Sequence, residues 1–197
     1  MASEIKANKI SPATGTAFTI GDSGDTFTVP SGCTIVNSGT ATGFGEGKVL
    51  QIPTPVHKTD SFSTSSTSWV DVTDVTLSIT PSATSSRILV LLNSRLCGSS
   101  GYPIFAQFLR DSTAIGSGTG TSNVDCFAQT MPSPDSTRYG RPADLIWLDS
   151  PNTTSSVTYK MQVRMYASQT GYVNRATDLH IYAGEYATSL TLMEIGT

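Results

Sequence analysis

Charge is scarce in this sequence. Only 14% of its 197 residues are Asp, Glu, Lys or Arg, and the formal net charge is −3. Nothing in that balance favours a polyanion, so nucleic acid is not an expected partner. The nearest approach to a basic patch, Arg138 with Arg141, reads as a solvated loop pair. Histidine is scarcer still, with only His57 and His180. Serine is so common that a Ser–His–Asp triad could be drawn almost anywhere, and no Gly-x-Ser-x-Gly elbow holds one in place. The three cysteines, Cys33, Cys97 and Cys126, have no Cys-x-x-Cys spacing. That pattern argues against a disulfide framework or a zinc site. Cys97 and Cys126 could pair across two strands, but buried thiols suit a chain that folds in a reducing cytoplasm better. Long apolar runs are missing too. The longest, Ile88 to Leu92, is far short of a membrane span. Residues 1–6 lack the apolar region of a signal peptide, so the triplet Asn152-Thr153-Thr154 means little as a glycosylation acceptor.

What the chain does have is hydroxyls. Ser and Thr fill more than a quarter of it. The apolar residues arrive in short alternating bursts separated by Gly, Pro, Ser and Asn. That texture predicts many β-strands, short turns and almost no helix. A wall of hydroxyls with few titratable groups suits a rigid part of a large assembly better than an enzyme. Two regions separate by texture, residues 1–47 and 48–197. The first is a loose repeat of very short strands and tight turns on a period of about eight or nine residues. Phe18-Thr19-Ile20, Phe27-Thr28-Val29 and Cys33-Thr34-Ile35-Val36 are its strands. It carries too few large apolar side chains to offset its own ordering entropy. The expectation is that three copies wind together, with Phe18, Ile20, Phe27, Val29 and Ile35 near a common axis.

The second region begins after Pro53 and Pro55 and reads as an antiparallel β-sandwich, with a jelly roll as the leading topology. Ile88-Leu89-Val90-Leu91-Leu92 is apolar on both faces and is expected as a central strand covered on both sides. Leu145-Ile146-Trp147-Leu148 has the same character. Val157, Tyr159, Met161, Val163 and Met165 alternate cleanly with polar residues, and Leu179, Ile181 and Ala183 form the next predicted strand. Leu190 and Leu192 start the last strand. Met193 and Ile195 then shift phase, which suggests a bulge or a face pressed on a neighbour. One sandwich has one dry interior, so surplus apolar faces point to subunit contacts.

Candidate sites are few. Asp71 with Asp74, and Asp125 with Asp135, are close carboxylate pairs of the kind a glycosidase uses. The first pair flanks an expected strand turn, where Asp commonly bonds the backbone. Gly21-Asp22-Ser23-Gly24-Asp25 has two carboxylates for calcium but not the ligand count of an EF-hand loop, and reads as an Asx-rich turn. Gly116-Ser117-Gly118-Thr119-Gly120-Thr121 lacks the Lys of a phosphate loop. No catalytic residue, metal site or cofactor is expected. Ligand contact, if any, belongs to residues 99–141, where Tyr102, Phe127, Tyr139 and Arg141 stand among Gly, Ser and Pro.

Several segments carry a likeness to a known family. The stretch at 10–32, with Phe18-Thr19-Ile20-Gly21-Asp22-Ser23-Gly24-Asp25-Thr26-Phe27-Thr28-Val29-Pro30-Ser31-Gly32, resembles the N-terminal module of tail-fibre-like structural proteins of marine bacteriophages. Residues 58–72, residues 79–90 and the closing Leu190-Thr191-Leu192-Met193-Glu194-Ile195 resemble them too. Together these cover about half the chain in order. The resemblance implies a virion protein assembled in the host cytoplasm, with a small fibrous N-terminal piece and a β-sandwich head. Its expected role is a non-enzymatic homotrimeric tail fibre or spike. Its partners would be other tail or capsid proteins and a host cell-surface glycan or protein, without nucleic acid or membrane insertion. Capsid decoration, cement or head-fibre duty is the alternative, and a carbohydrate-binding module the second.

Overall fold

The computed structural model describes residues 14, 24–26, 28–34, 47–99, 101–118, 124–130, 140–176 and 184–196. The chain divides into two units, Met1–Phe44 and Gly45–Thr197. The second holds every described strand. In order these are β1 (Val49–Gln51), β2 (Val56–Lys58), β3 (Phe62–Thr64), β4 (Val70–Ile79), β5 (Arg87–Asn93), β6 (Arg95–Cys97) and β7 (Ile104–Arg110). They continue with β8 (Thr113–Ile115), β9 (Ala128–Thr130), β10 (Arg141–Pro142), β11 (Leu145–Asp149), β12 (Val157–Met165), β13 (Gly171–Val173) and β14 (Thr188–Ile195). All pairings are antiparallel.

Two main sheets face each other. In the front sheet β14 lies between β5 and a side shared by β1 and β2, and β11 closes the far edge beyond β5. In the rear sheet the order is β4-β12-β7-β8, with β9 also on β7. The principal strands therefore alternate between layers, as β2 front, β4 rear, β5 front, β7 and β8 rear, β11 front, β12 rear, β14 front. The orders β2-β14-β5-β11 and β4-β12-β7-β8 are those of a jelly roll. A smaller sheet, β10-β6-β13-β3, prolongs the front sheet past a kink at Ser94. There the Ala143 amide donates to the Ser94 carbonyl at 2.9 Å, and Asp144 accepts from the Asn93 side chain at 2.8 Å.

Side-chain alternation decides which face goes inside. On β12 the odd positions from Val157 to Met165 are buried and the even ones are not. Val72, Val75 and Ile79 of β4 join them from the rear layer, with Ile104, Ala106 and Phe108 of β7. The front layer answers with Ile88, Val90 and Leu92 of β5 and Leu190 and Leu192 of β14. Burying each such side chain contributes roughly 1.5–3 kcal/mol. This interior is the main source of stability.

Two carboxylates close one end of that interior. Glu194, Ile88 and Asp149 sit side by side across β14, β5 and β11. Asp149 accepts from both Arg110 (2.8 and 2.9 Å) and Tyr159 (2.7 Å), tying the end of β11 to β7 and β12 in the rear sheet. Burial, then this hydrogen bond to the carboxylate, pushes the Tyr159 phenol well above its ordinary range. Glu194 is fully buried and receives the Ser82 amide (2.7 Å), the Ser82 hydroxyl (2.6 Å) and the Gln51 amide (2.5 Å).

Three expectations change here. The phase shift expected in the last strand is absent, because β14 keeps an unbroken register with β5 from Ser189 to Ile195. Its inner position is filled by Glu194, and Met193 and Ile195 face outward. Asp71 and Asp74 do not flank a turn. Both lie within β4, Asp74 with φ of 65°, opposite a register slip between Lys160 and Gln162. β5 is central in its sheet, but Leu89 and Leu91 on its outer face are only half-buried. The free thiols favoured from the sequence hold: Cys97 is buried, Cys126 is half-buried, and the two are not bonded to each other.

Candidate interaction surface

Sequence reasoning expected recognition at residues 99–141. Tyr102 is 40% exposed and pairs with Ser99 in an isolated bridge, while Arg141 is exposed on β10 opposite Leu96. Phe127 is not a loop anchor, since it packs against the core. Tyr139 lies outside the described residues. Of the residues expected at a trimer axis, Val29 is described and exposed, and Phe18, Ile20, Phe27 and Ile35 lie outside. So do His180, Asp135 and the strand expected over 179–183. Asp71 is engaged by Gln162 (2.6 Å) and Lys160 (2.9 Å), which hold its pKa below the ordinary value. Among the described residues no three His, Cys, Asp or Glu side chains converge as a metal would require.

The distinctive surface is elsewhere, in the contrast between the two outer faces of the sandwich. On the rear sheet the outward side chains of β12 are Thr158, Lys160, Gln162 and Arg164, and they are knitted to their neighbours. Thr158 bonds Ser78 at 2.8 Å, Gln107 donates to Gln162 at 2.6 Å, and Gln162 and Lys160 both reach Asp71. Arg164 lies over the Trp69 ring at 5.4 Å and the Phe105 ring at 5.2 Å. Those long side chains cover the apolar positions beneath them, so Phe105 and Leu109 are 7% exposed although they point outward. This face is finished for water.

The front sheet is not. Residues directly opposite each other in an antiparallel sheet share a side. The register therefore puts Val49 beside Ile195, Met193 beside Leu89, Leu89 beside Leu148, and Leu91 beside Ile146, all pointing outward. Val49 is 52% exposed, Ile146 77% and Leu148 42%, while Leu89, Leu91, Met193 and Ile195 are half-buried. The band crosses four strands, about 14 Å at the usual strand spacing. Among the described residues, charged groups stand at its ends, Arg87 at one and Asp144 at the other. Near Asp144 a shallow hollow of about 380 Å³ is lined by Leu91, Ile146, Asn93, Ser189 and Thr191 among others. The two outer faces thus differ in kind, one covered by hydrogen-bonded polar side chains and one left apolar.

The sequence signal for this surface was the run Leu145 to Leu148, apolar on both faces. Periodicity could not say which side lacked cover, because that depends on the strand's place at the sheet edge.

No protein family matches the chain, and no curated protein matches it. Among solved structures, the infectious bursal disease virus VP2 subviral particle is similar over 75% of this chain and 42% of that one, with 11% identity and a TM-score of 0.34. The chain thus spans less than half of that protein, and a likeness this loose carries no argument for function.

Proposed function

We propose that this protein is a non-enzymatic structural component of a virus particle, a jelly-roll block that joins its neighbours through the outer face of the front sheet. The observation that carries the reading is the contrast of the two outer faces, one knitted with hydrogen bonds and one left apolar. An enzyme built on this sandwich would need polar groups converging in a cleft. The carboxylates of Asp149 and Asp71 are instead engaged within the fold, Asp149 by Arg110 and Tyr159, Asp71 by Lys160 and Gln162. The sequence likeness to tail-fibre-like phage proteins supports a tail fibre or spike. In that setting residues 1–47 join three chains and the jelly roll forms the head that meets neighbours or the host surface.

Sedimentation of the full chain tests the assembly. A trimer is expected, and Phe27→Asp should dissolve it by placing a charge in the shared core. A monodisperse monomer at high concentration would overturn the trimeric reading. Labelling the protein on purified particles tests the location, and its absence from them would overturn the virion reading itself.

A further inference from the structure

Strand edges expose unpaired backbone N–H and C=O groups, and stable β-proteins guard them. This jelly roll guards nearly all of its edges. β1 and β2 are three residues each and are separated by a segment holding Pro53 and Pro55. β2 also turns Lys58 inward, where its ammonium meets Asp60 at 2.9 Å and Asp74 at 3.8 Å. β4 is slipped in register and carries Asp71 and Asp74. β8, β9 and β3 are three residues long, and β10 is two residues ending in Pro142.

β11 is the exception among the described strands. It pairs with β5 alone, in unbroken register from Leu145 to Asp149. It has no proline, no bulge and no exposed charge, since Asp149 is buried against Arg110 and Tyr159. Yet Ile146, Trp147 and Leu148 are 77%, 43% and 42% exposed. The Asp149 clamp holds the strand's end to the rear sheet, so the edge is both sticky and fixed in place.

We propose that β11 pairs antiparallel with β11 of a second copy, about a twofold axis at Trp147. The exposed triplet Ile146-Trp147-Leu148 is self-complementary about that residue. Ile146 meets Leu148 of the second copy on the outer face, and the two Trp147 side chains stand together on the other. On that face Leu145 of each copy also stands opposite Asp149 of the other, whose carboxylate is already engaged by Arg110 and Tyr159, while on the outer face the apolar band continues from one copy to the next. Any antiparallel register must match outer with outer positions, which requires the axis to pass at a residue. Trp147 is the choice that pairs the whole strand. Such a contact is isologous and closes at two copies, and the guarded edges on the far sides stop the sheet from growing into a filament. Five residues from each copy bury less than the roughly 1,200 Å² of a stable complex, so the contact is weak alone and is strengthened where copies are held together. It does not depend on the virion reading, because strand pairing is tested on the isolated protein.

The test is cysteine trapping in the full chain with Cys33→Ser and Cys126→Ser. Trp147→Cys should form a covalent dimer under mild oxidation at least about tenfold faster than Tyr166→Cys, because docking raises the local thiol concentration. Tyr166 is similarly exposed, at 67%, but lies off the edge. Mixed Ile146→Cys and Leu148→Cys chains should cross-link to each other faster than either does to itself. Adding Ile146→Lys to Trp147→Cys should remove the advantage, with circular dichroism unchanged. If none of the edge cysteines outpaces Tyr166→Cys, strand pairing is overturned. If Ile146→Cys or Leu148→Cys self-links fastest instead, the axis at Trp147 is overturned. Loss of the trimer by Phe27→Asp would leave the Trp147 dimer in place, which separates failure of this contact from failure of the trimeric reading.

Discussion

Glu194 shows how a single side chain can hold a charge in the interior without a cation. Burial alone would raise its pKa, but hydrogen bonds from Ser82 and Gln51, with the Ser86 hydroxyl close by, outweigh that and bring it down to about 2, from an ordinary 4.5. A carboxyl with a depressed folded-state pKa contributes stability that is present above the unfolded value and lost as pH falls through the folded one. Urea unfolding should therefore show the midpoint dropping between pH 4.5 and 2. Ser82→Ala should shrink that drop and cost about 1 kcal/mol at neutral pH, the worth of a typical hydrogen bond. Asn174 is a second such residue. It adopts a φ of 66°, donates to the carbonyls of Lys58 (3.1 Å) and Asp60 (3.3 Å), and accepts from Thr188 (2.7 Å). Asn174→Ala leaves buried polar groups unmatched and should cost about 2–3 kcal/mol in chemical denaturation. Neither residue was legible in the sequence, because a lone Glu in a final strand and a lone Asn in a Tyr-Val-Asn-Arg run look like surface residues.

At the scale of elements, legibility followed alternation. β12 could be read almost residue by residue, since nothing interrupts its period from Val157 to Met165. β7 has no such period, because its outward Phe105 and Leu109 are apolar too, and it ends at a turn where Asp111 takes a φ of 52°. β13 escaped, because a three-residue strand starting at glycine has too little pattern to count. Gly171 is there for packing, as a Cβ would fall 2.3 Å from the Met165 sulfur. β14 was misread because the inward place after Leu190 and Leu192 goes to an acid, making the outward Met193 and Ile195 look like a change of phase. The stack of Arg164 on Trp69 and Phe105 was invisible for another reason: it joins three elements that only tertiary structure brings together. Its hydrogen bonding is sparse, with a single contact to the Thr67 carbonyl at 3.2 Å and no partner for Nε. Most of its contribution should therefore come from the rings. Arg164→Ala should cost about 1–2 kcal/mol, and a double-mutant cycle with Trp69→Ala should recover about half of that as coupling.

For the whole molecule, the all-β class and the sandwich could be reached from strand spacing and turn chemistry, with a jelly roll as the leading topology, but the strand order could not. Nor could the apolar outer face proposed for docking. A run such as Leu145 to Leu148 says that two faces are apolar, whereas only the finished topology says that one of them lies at an unguarded margin. The same topology sets another relation. β1 runs beside the end of β14, with the Gly47 amide on the Gly196 carbonyl at 3.1 Å and the Gly196 amide on the Lys48 carbonyl at 2.8 Å. The two extremities of the jelly roll are thus stitched into one corner. A circular permutant that links residue 196 to residue 48 through a short glycine bridge, and opens instead at the exposed loop around Thr154, should fold to the same sheet content by circular dichroism and unfold cooperatively. A peptide grafted at either extremity of the jelly roll would therefore emerge from the same point and leave the opposite tip of the sandwich unencumbered.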